Sequence, residues 1–261
     1  MSGLVLILPA FAAGLLVLAS HVPLGRRVLA RGIIFIDITI AQFAALGMVI
    51  AHAAHIENAW LTQLAALGAA LLGALLFQLS ERLWPDIQEA LIGSGFVLAS
   101  SLSILLLARD PHGGEHLQEL LVGQILWTGW GDLWPLLIAS LLALGLWQSP
   151  QLRQSTPVFY LLFALLITLS VQQIGVFLVF ASLILPALAV RAWSGRRALF
   201  GAYAIGAAGY ALGLLGSLYW DLPAGALIVC TLAALGAPFL AVSGQQHAQP
   251  HEGKKEGKKP L

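Results

Sequence analysis

The chain has 261 residues, 59% of them hydrophobic and only 10% charged, with a formal net charge of +1. Soluble domains carry roughly 25% charged residues, so an ordinary water-soluble enzyme is excluded, and nothing in so balanced a charge points to nucleic acid. The one cysteine, Cys230, leaves no disulfide framework and no cysteine metal cluster; its apolar surroundings predict a small buried hydrophobe.

Apolar stretches near the ~20 residues that a helix needs to cross a bilayer recur from Leu4 to Val242 without a long polar segment between them. The first, "GLVLILPAFAAGLLVLASHV", has no basic leader and carries its arginines behind it, which predicts a span rather than a cleaved signal. Turn and charge signals divide the rest, giving apolar segments at 3–22, 33–53, 60–79, 89–108, 132–147, 157–172, 173–192, 198–218 and 224–242. The expected fold is an all-α polytopic membrane protein with nine transmembrane helices. Eight result if the short sixth and seventh segments, which meet at the QQIG of residues 172–175, form one kinked span.

Charge placement favours nine. With the N-terminus outside and the C-terminus cytoplasmic, Arg26, Arg27, Arg31, Arg82, Arg153, Arg191, Arg196, Arg197, Lys254, Lys255, Lys258 and Lys259 all face the cytoplasm and only Arg109 faces out. Merging the doubtful pair would export three arginines and four lysines. Trp60, Trp127, Trp130, Trp134 and Trp220 fall at the outer boundary, the level that amphipathic rings favour. The domain organisation expected is a transmembrane domain over 1–243 and a disordered basic cytoplasmic tail over 244–261. Its His247 and His251 read either as metal-capturing side chains or, as the composition favours, as part of a solvated tail that leans toward anionic membrane lipid.

Of the 12 acidic residues, Asp37 alone falls inside an apolar segment rather than at its end, in a loop or in the tail. An ionisable group inside a membrane faces protein, water or a cation. Positions 37, 41, 44, 45 and 48 share one helical face and read Asp, Ala, Ala, Ala, Met, small residues that let another helix come close. Asp37 is thus expected at a helix interface, either as a packing residue or as a waypoint for a cation. Gln42 lies about 140° around the helix from it and does not join it on one ion. On the outer side, His52, His55 and Glu57 follow the second segment, and "RDPHGGEHLQE" places His112, Glu115, His116 and Glu119 between the fourth and fifth. These side chains form either a metal-collecting vestibule or a set of ordinary solvated loop residues.

Four stretches, "RGIIFIDITIAQFAALG", "LQELLVGQILWTGWGDLW", "QQIGVFLVFASLILPALAVRAW" and "LPAGALIVCTLAALGAPFLAV", resemble in the same order the conserved stretches of the zinc and manganese type ABC importer permeases. The last two also resemble the more distant cobalamin and siderophore permeases. The resemblance runs to about Val242. It implies a homodimer in the bacterial inner or plasma membrane, with a translocation path along the two-fold axis and Asp37 on that path. It also implies two cytoplasmic ATPase subunits, an extracytoplasmic protein that delivers the metal, and a divalent metal ion as substrate, with no permanently bound cofactor. Docking onto the ATPase falls by this resemblance on "RAWSGRRALF", with Arg191, Ser194, Gly195, Arg196 and Arg197 as the coupling residues. Where the family commonly carries a His four residues after the Asp, this chain has Ala41, a weaker zinc site than carboxylate plus imidazole.

Three classes compete. A divalent-metal ABC permease, for zinc, manganese or a metal chelate, needs many spans, a polar point in the path, a coupling loop and a separate ATPase; the chain has no G-x-x-x-x-G-K-[ST] of its own. An intramembrane hydrolase would use Ser94 of "LIGSGF", but Ile92 stands where glycine is wanted and no intramembrane histidine is expected to act as base. An ion-coupled secondary transporter would show inverted repeats and carboxylates in both halves, which the sequence lacks.

Overall fold

The computed structural model describes residues 3–56, 58–108, 123–151 and 155–247. Among them the chain forms nine long helices and no strand: α1 (Gly3–Arg31), α2 (Ile36–Ala53), α3 (Ala59–Leu83), α4 (Gln88–Leu107), α5 (Leu133–Gln148), α6 (Thr156–Ile174), α7 (Val176–Ala189), α8 (Gly195–Trp220) and α9 (Ala224–His247). Each expected apolar segment falls on one helix. Several helices outrun their segments at the basic end, α1 through Arg26, Arg27 and Arg31 and α3 through Glu81 and Arg82, because arginine, leucine and glutamate keep helical propensity after hydropathy has ended. The last helix reaches His247, past the expected domain boundary at 243. Among the described residues, seven helices are long and apolar enough to span a bilayer; α7 and the apolar part of α9 are shorter.

Local chemistry sets the breaks. The Asn58 side chain accepts from the backbone N–H groups of Trp60 and Leu61 and so caps α3. Pro157 sits in the first turn of α6, where its missing N–H leaves no bond unmade. Pro23 lies inside α1 and deprives the Ala19 carbonyl of its helical donor. The Tyr203 hydroxyl of α8 donates to that carbonyl at 3.0 Å.

The doubtful pair is a hairpin. Arg31 donates to Thr156 Oγ1 at 3.3 Å, which places the start of α6 beside the end of α1. Gly25 of α1 packs on Leu183 and Ala187, which places the end of α7 at the same level. One residue turns the chain between them: Gly175, at φ 81, a conformation that side-chain-bearing residues avoid. With 14 residues, α7 is about 21 Å long at 1.5 Å per residue, short of a hydrocarbon core of about 30 Å. The segment 123–132 closes over the hairpin apex. Gly123 meets the Ile174–Gly175 backbone, and the Gln173 amide donates to the Asp132 carbonyl at 3.1 Å.

The helices least exposed are α1, α2, α6 and α7, and α7 lies against α1, α8 and α9. Leucines of α3, α4 and α5, among them Leu72, Leu76, Leu98, Leu105 and Leu141, point outward in a continuous apolar skin suited to lipid. Cys230 on α9 is exposed rather than buried, since it faces away from the α8 contacts made by Ile228 and Thr231.

Candidate functional site

Asp37 lies in the first turn of α2, one residue after the helix opens at Ile36. The carboxylate expected within the span therefore sits near the basic end of the bundle. Free first-turn N–H groups and the aligned peptide dipoles favour an anion there, which accounts in part for an apolar helix accepting the charge. The residue is 1% exposed, and no side chain donates to either carboxylate oxygen; the donors that face it are the first-turn backbone N–H groups of Asp37 and Ile38.

A second carboxylate stands beside it. The Phe35 backbone N–H donates to Glu89 Oε1 at 3.2 Å, and Thr39 Oγ1 donates to the Ile92 carbonyl at 3.2 Å. These two bonds fasten the start of α2 to the start of α4. Glu89 lies close enough to Asp37 to act on it electrostatically, and its Oε2 is buried and unpaired. Sequence reading passed over Glu89 because it stands at the edge of an apolar segment; the signal was that it opens a helix whose neighbour also opens with an acid. One turn above Asp37, Ala41 is 1% exposed and offers no donor atom, and Ala44 and Ala45 continue the buried small-residue face.

The remaining expected site residues are less gathered. His52 is in the last turn of α2 and His55 follows it in a left-handed conformation at φ 56; both side chains are exposed at the tryptophan-rich end. Glu57, His112, Glu115, His116 and Glu119 lie outside the described residues. Among those described, no three His, Cys, Asp or Glu side chains come together around a point that could hold a metal.

At the basic end, Arg191, Ser194, Gly195, Arg196 and Arg197 are all exposed. Residues 190–192 form a turn and Ser194 is extended, with no helix of their own between α7 and α8, and Arg196 and Arg197 ride on the first turn of α8. His21, in contrast, is fully buried inside α1, with Nδ1 3.1 Å from Ser20 Oγ and Nε2 unpaired. This corrects the expectation that no histidine lies within a span. The correction revives no hydrolase, since Ser20 Oγ donates to the Val17 carbonyl at 3.2 Å and the pair is sealed from any substrate.

Nine apolar helices define a multi-pass protein of the cell membrane. The chain belongs to the ABC 3 transport family, whose model matches residues 4–152 and 149–243, and it is by that membership a membrane transport subunit. Two solved structures share its fold. PsaBC from Streptococcus pneumoniae, in complex with Fab, is 18% identical over 95% of this chain and 94% of that one, with a TM-score of 0.71. A metal-chelate type ABC transporter in an inward-facing conformation is 19% identical over 92% of this chain and 85% of that one, with a TM-score of 0.63. No curated protein sequence matches the chain significantly.

Proposed function

We propose that this protein is the permease subunit of an ATP-driven importer for a divalent transition metal, zinc or manganese, and that two copies form the translocation path between them. The observation that carries the reading is the Asp37–Glu89 pair, with three buried carboxylate oxygens to which no side chain donates. Oxygen ligands alone suit a harder ion better than zinc's usual nitrogen and sulfur set, so manganese is the preferred cargo. The chelate transporter among the structural neighbours supports metal as the substrate class. The basic end faces the cytoplasm in this reading, as its arginines favour.

Asp37 is closed off inside the single chain, so an ion on a two-fold path reaches it only when the starts of α2 and α4 part. The permease described here is then a state shut to its cargo. Energy comes from a separate cytoplasmic ATPase, and an extracytoplasmic binding protein supplies the metal at the end that carries His52 and His55. The test is manganese and zinc uptake into vesicles that hold the permease with its ATPase. Uptake should require ATP hydrolysis and persist when ionophores collapse the ion gradients. Uptake driven by a gradient without ATP would instead mark a secondary transporter.

The exposed arginines at the α7–α8 corner are the proposed contact for the ATPase. Arg196→Glu combined with Arg197→Glu should lower permease-stimulated ATP hydrolysis by at least about fivefold, since like charges brought face to face cost several kcal/mol. Undiminished hydrolysis by the double variant assigns docking to another loop.

A further inference from the structure

We propose that a cavity between α1, α5 and α8 binds the headgroup of an anionic phospholipid, with an acyl chain lying along α1. The cavity has a volume of about 750 Å³ and lies at the basic end of the bundle. Arg26, Arg27 and Arg31 line it together with Trp147 and Tyr203, and none of its lining residues is acidic. Two of the three guanidinium groups are held in place. Arg27 lies over the rings of Trp147 at 5.7 Å and Phe159 at 4.9 Å. Arg31 lies over Phe159 at 4.4 Å, donates to Thr156 and pairs with the Glu81 carboxylate at 3.6 Å. Planar guanidinium donors fixed in this way match a phosphate ester.

The rest of the cavity suits a lipid rather than a free anion. Pro23, Leu144 and Leu199 supply apolar wall. Helix α1 packs on α5, where Ser140 Oγ donates to the Leu16 carbonyl at 3.4 Å, and on α8, where Gly206 receives Leu18. The two flanking helices make no extensive contact with each other. Above Arg26 on α1, Leu8 and Leu15 are exposed. Their spacings of seven and eleven residues return to within about 20° of one direction on a helix. An apolar track that ends in a cationic cup is complementary to a molecule with an acyl chain and a phosphodiester. Inorganic phosphate would fill little of the space and leave the track bare.

The experiment measures the thermal stability of the full-length permease in detergent during titration with phosphatidylglycerol, phosphatidylcholine or inorganic phosphate. Phosphatidylglycerol should raise Tm, and the other two should not. Arg26→Gln, a change at a half-exposed side chain, should weaken the half-saturating phosphatidylglycerol concentration about fivefold, the factor expected for one arginine near a membrane surface. Leu199→Trp, which fills the cavity without touching a charge, should weaken it as well. Arg196→Gln with Arg197→Gln, on the same end but outside the cavity, should leave it unchanged. An equal response to phosphatidylcholine, an equal response to phosphate, or a shift that survives both cavity variants overturns the proposal.

Discussion

Asp37→Asn is expected to reduce metal uptake by about 100-fold or more while leaving membrane insertion and subunit pairing intact. The substitution preserves size and shape, so the contacts of the α2 start with α4 are kept, including the bonds made by Phe35 and Thr39. What is lost is the charge. A cation passing a dry site without its counter-charge is in the position of a buried ion whose partner has been removed, worth roughly 3 to 5 kcal/mol. A change of 1.4 kcal/mol is tenfold in an equilibrium, so the lower figure already exceeds a 100-fold loss. The structural cost is small by comparison, about 0.5 kcal/mol of favourable interaction with the helix N-terminus. Glu89→Gln should show the same pattern at reduced amplitude, because Glu89 Oε1 is already engaged by the Phe35 N–H. Uptake by Asp37→Asn at the parental rate would make the residue a packing group, and the proposed path would have to run elsewhere.

The contrast between Asp37 and Glu89 shows what the chain discloses by itself. Asp37 stands out because hydropathy is a one-dimensional property and a single acid in an apolar run is visible to it. Glu89, 52 positions further on in the chain, joins it only through the docking of α4 on α2, which no local pattern encodes. The spans were legible for a similar reason: lipid solvation imposes nearly the same length and composition on every crossing helix, and the arginines mark one end. The hairpin at Gly175 was the place where that rule weakened. There α7 is too short to reach the far surface, and tertiary contacts of residues 123–132 replace the lipid-facing turns that a full-length span would have had. His21 escaped notice because a histidine near the edge of an apolar segment looks interfacial until α1 is seen to continue to Arg31. For Cys230 hydropathy was misleading, because in a membrane protein an apolar neighbourhood describes the lipid-facing surface as readily as the core.

Gly25→Leu is expected to be the most damaging single substitution for folding, at about 3 kcal/mol or more, near the upper end of overpacking penalties. A Cβ added at Gly25 would overlap the Leu183 carbonyl of α7. That group is backbone in the middle of a helix and cannot turn aside as a side-chain tip would. The two helices would have to separate, and in a bilayer, where no hydrophobic force drives helices together, close packing supplies much of the association. The separation would spread, because α7 also carries the contacts with α8 and α9 and the buried bond between Ser182 Oγ and the Tyr210 hydroxyl at 2.7 Å. Thermal unfolding of the detergent-solubilised permease should therefore shift to clearly lower temperature. Gly145→Ala on α5 provides the comparison: nothing lies within 4 Å of a Cβ added there. In a helix interior the exchange favours alanine by roughly 0.5 to 1 kcal/mol, so the Tm should rise slightly or hold. Similar Tm changes for the two variants would mean that the α1–α7 contact does not hold the bundle together.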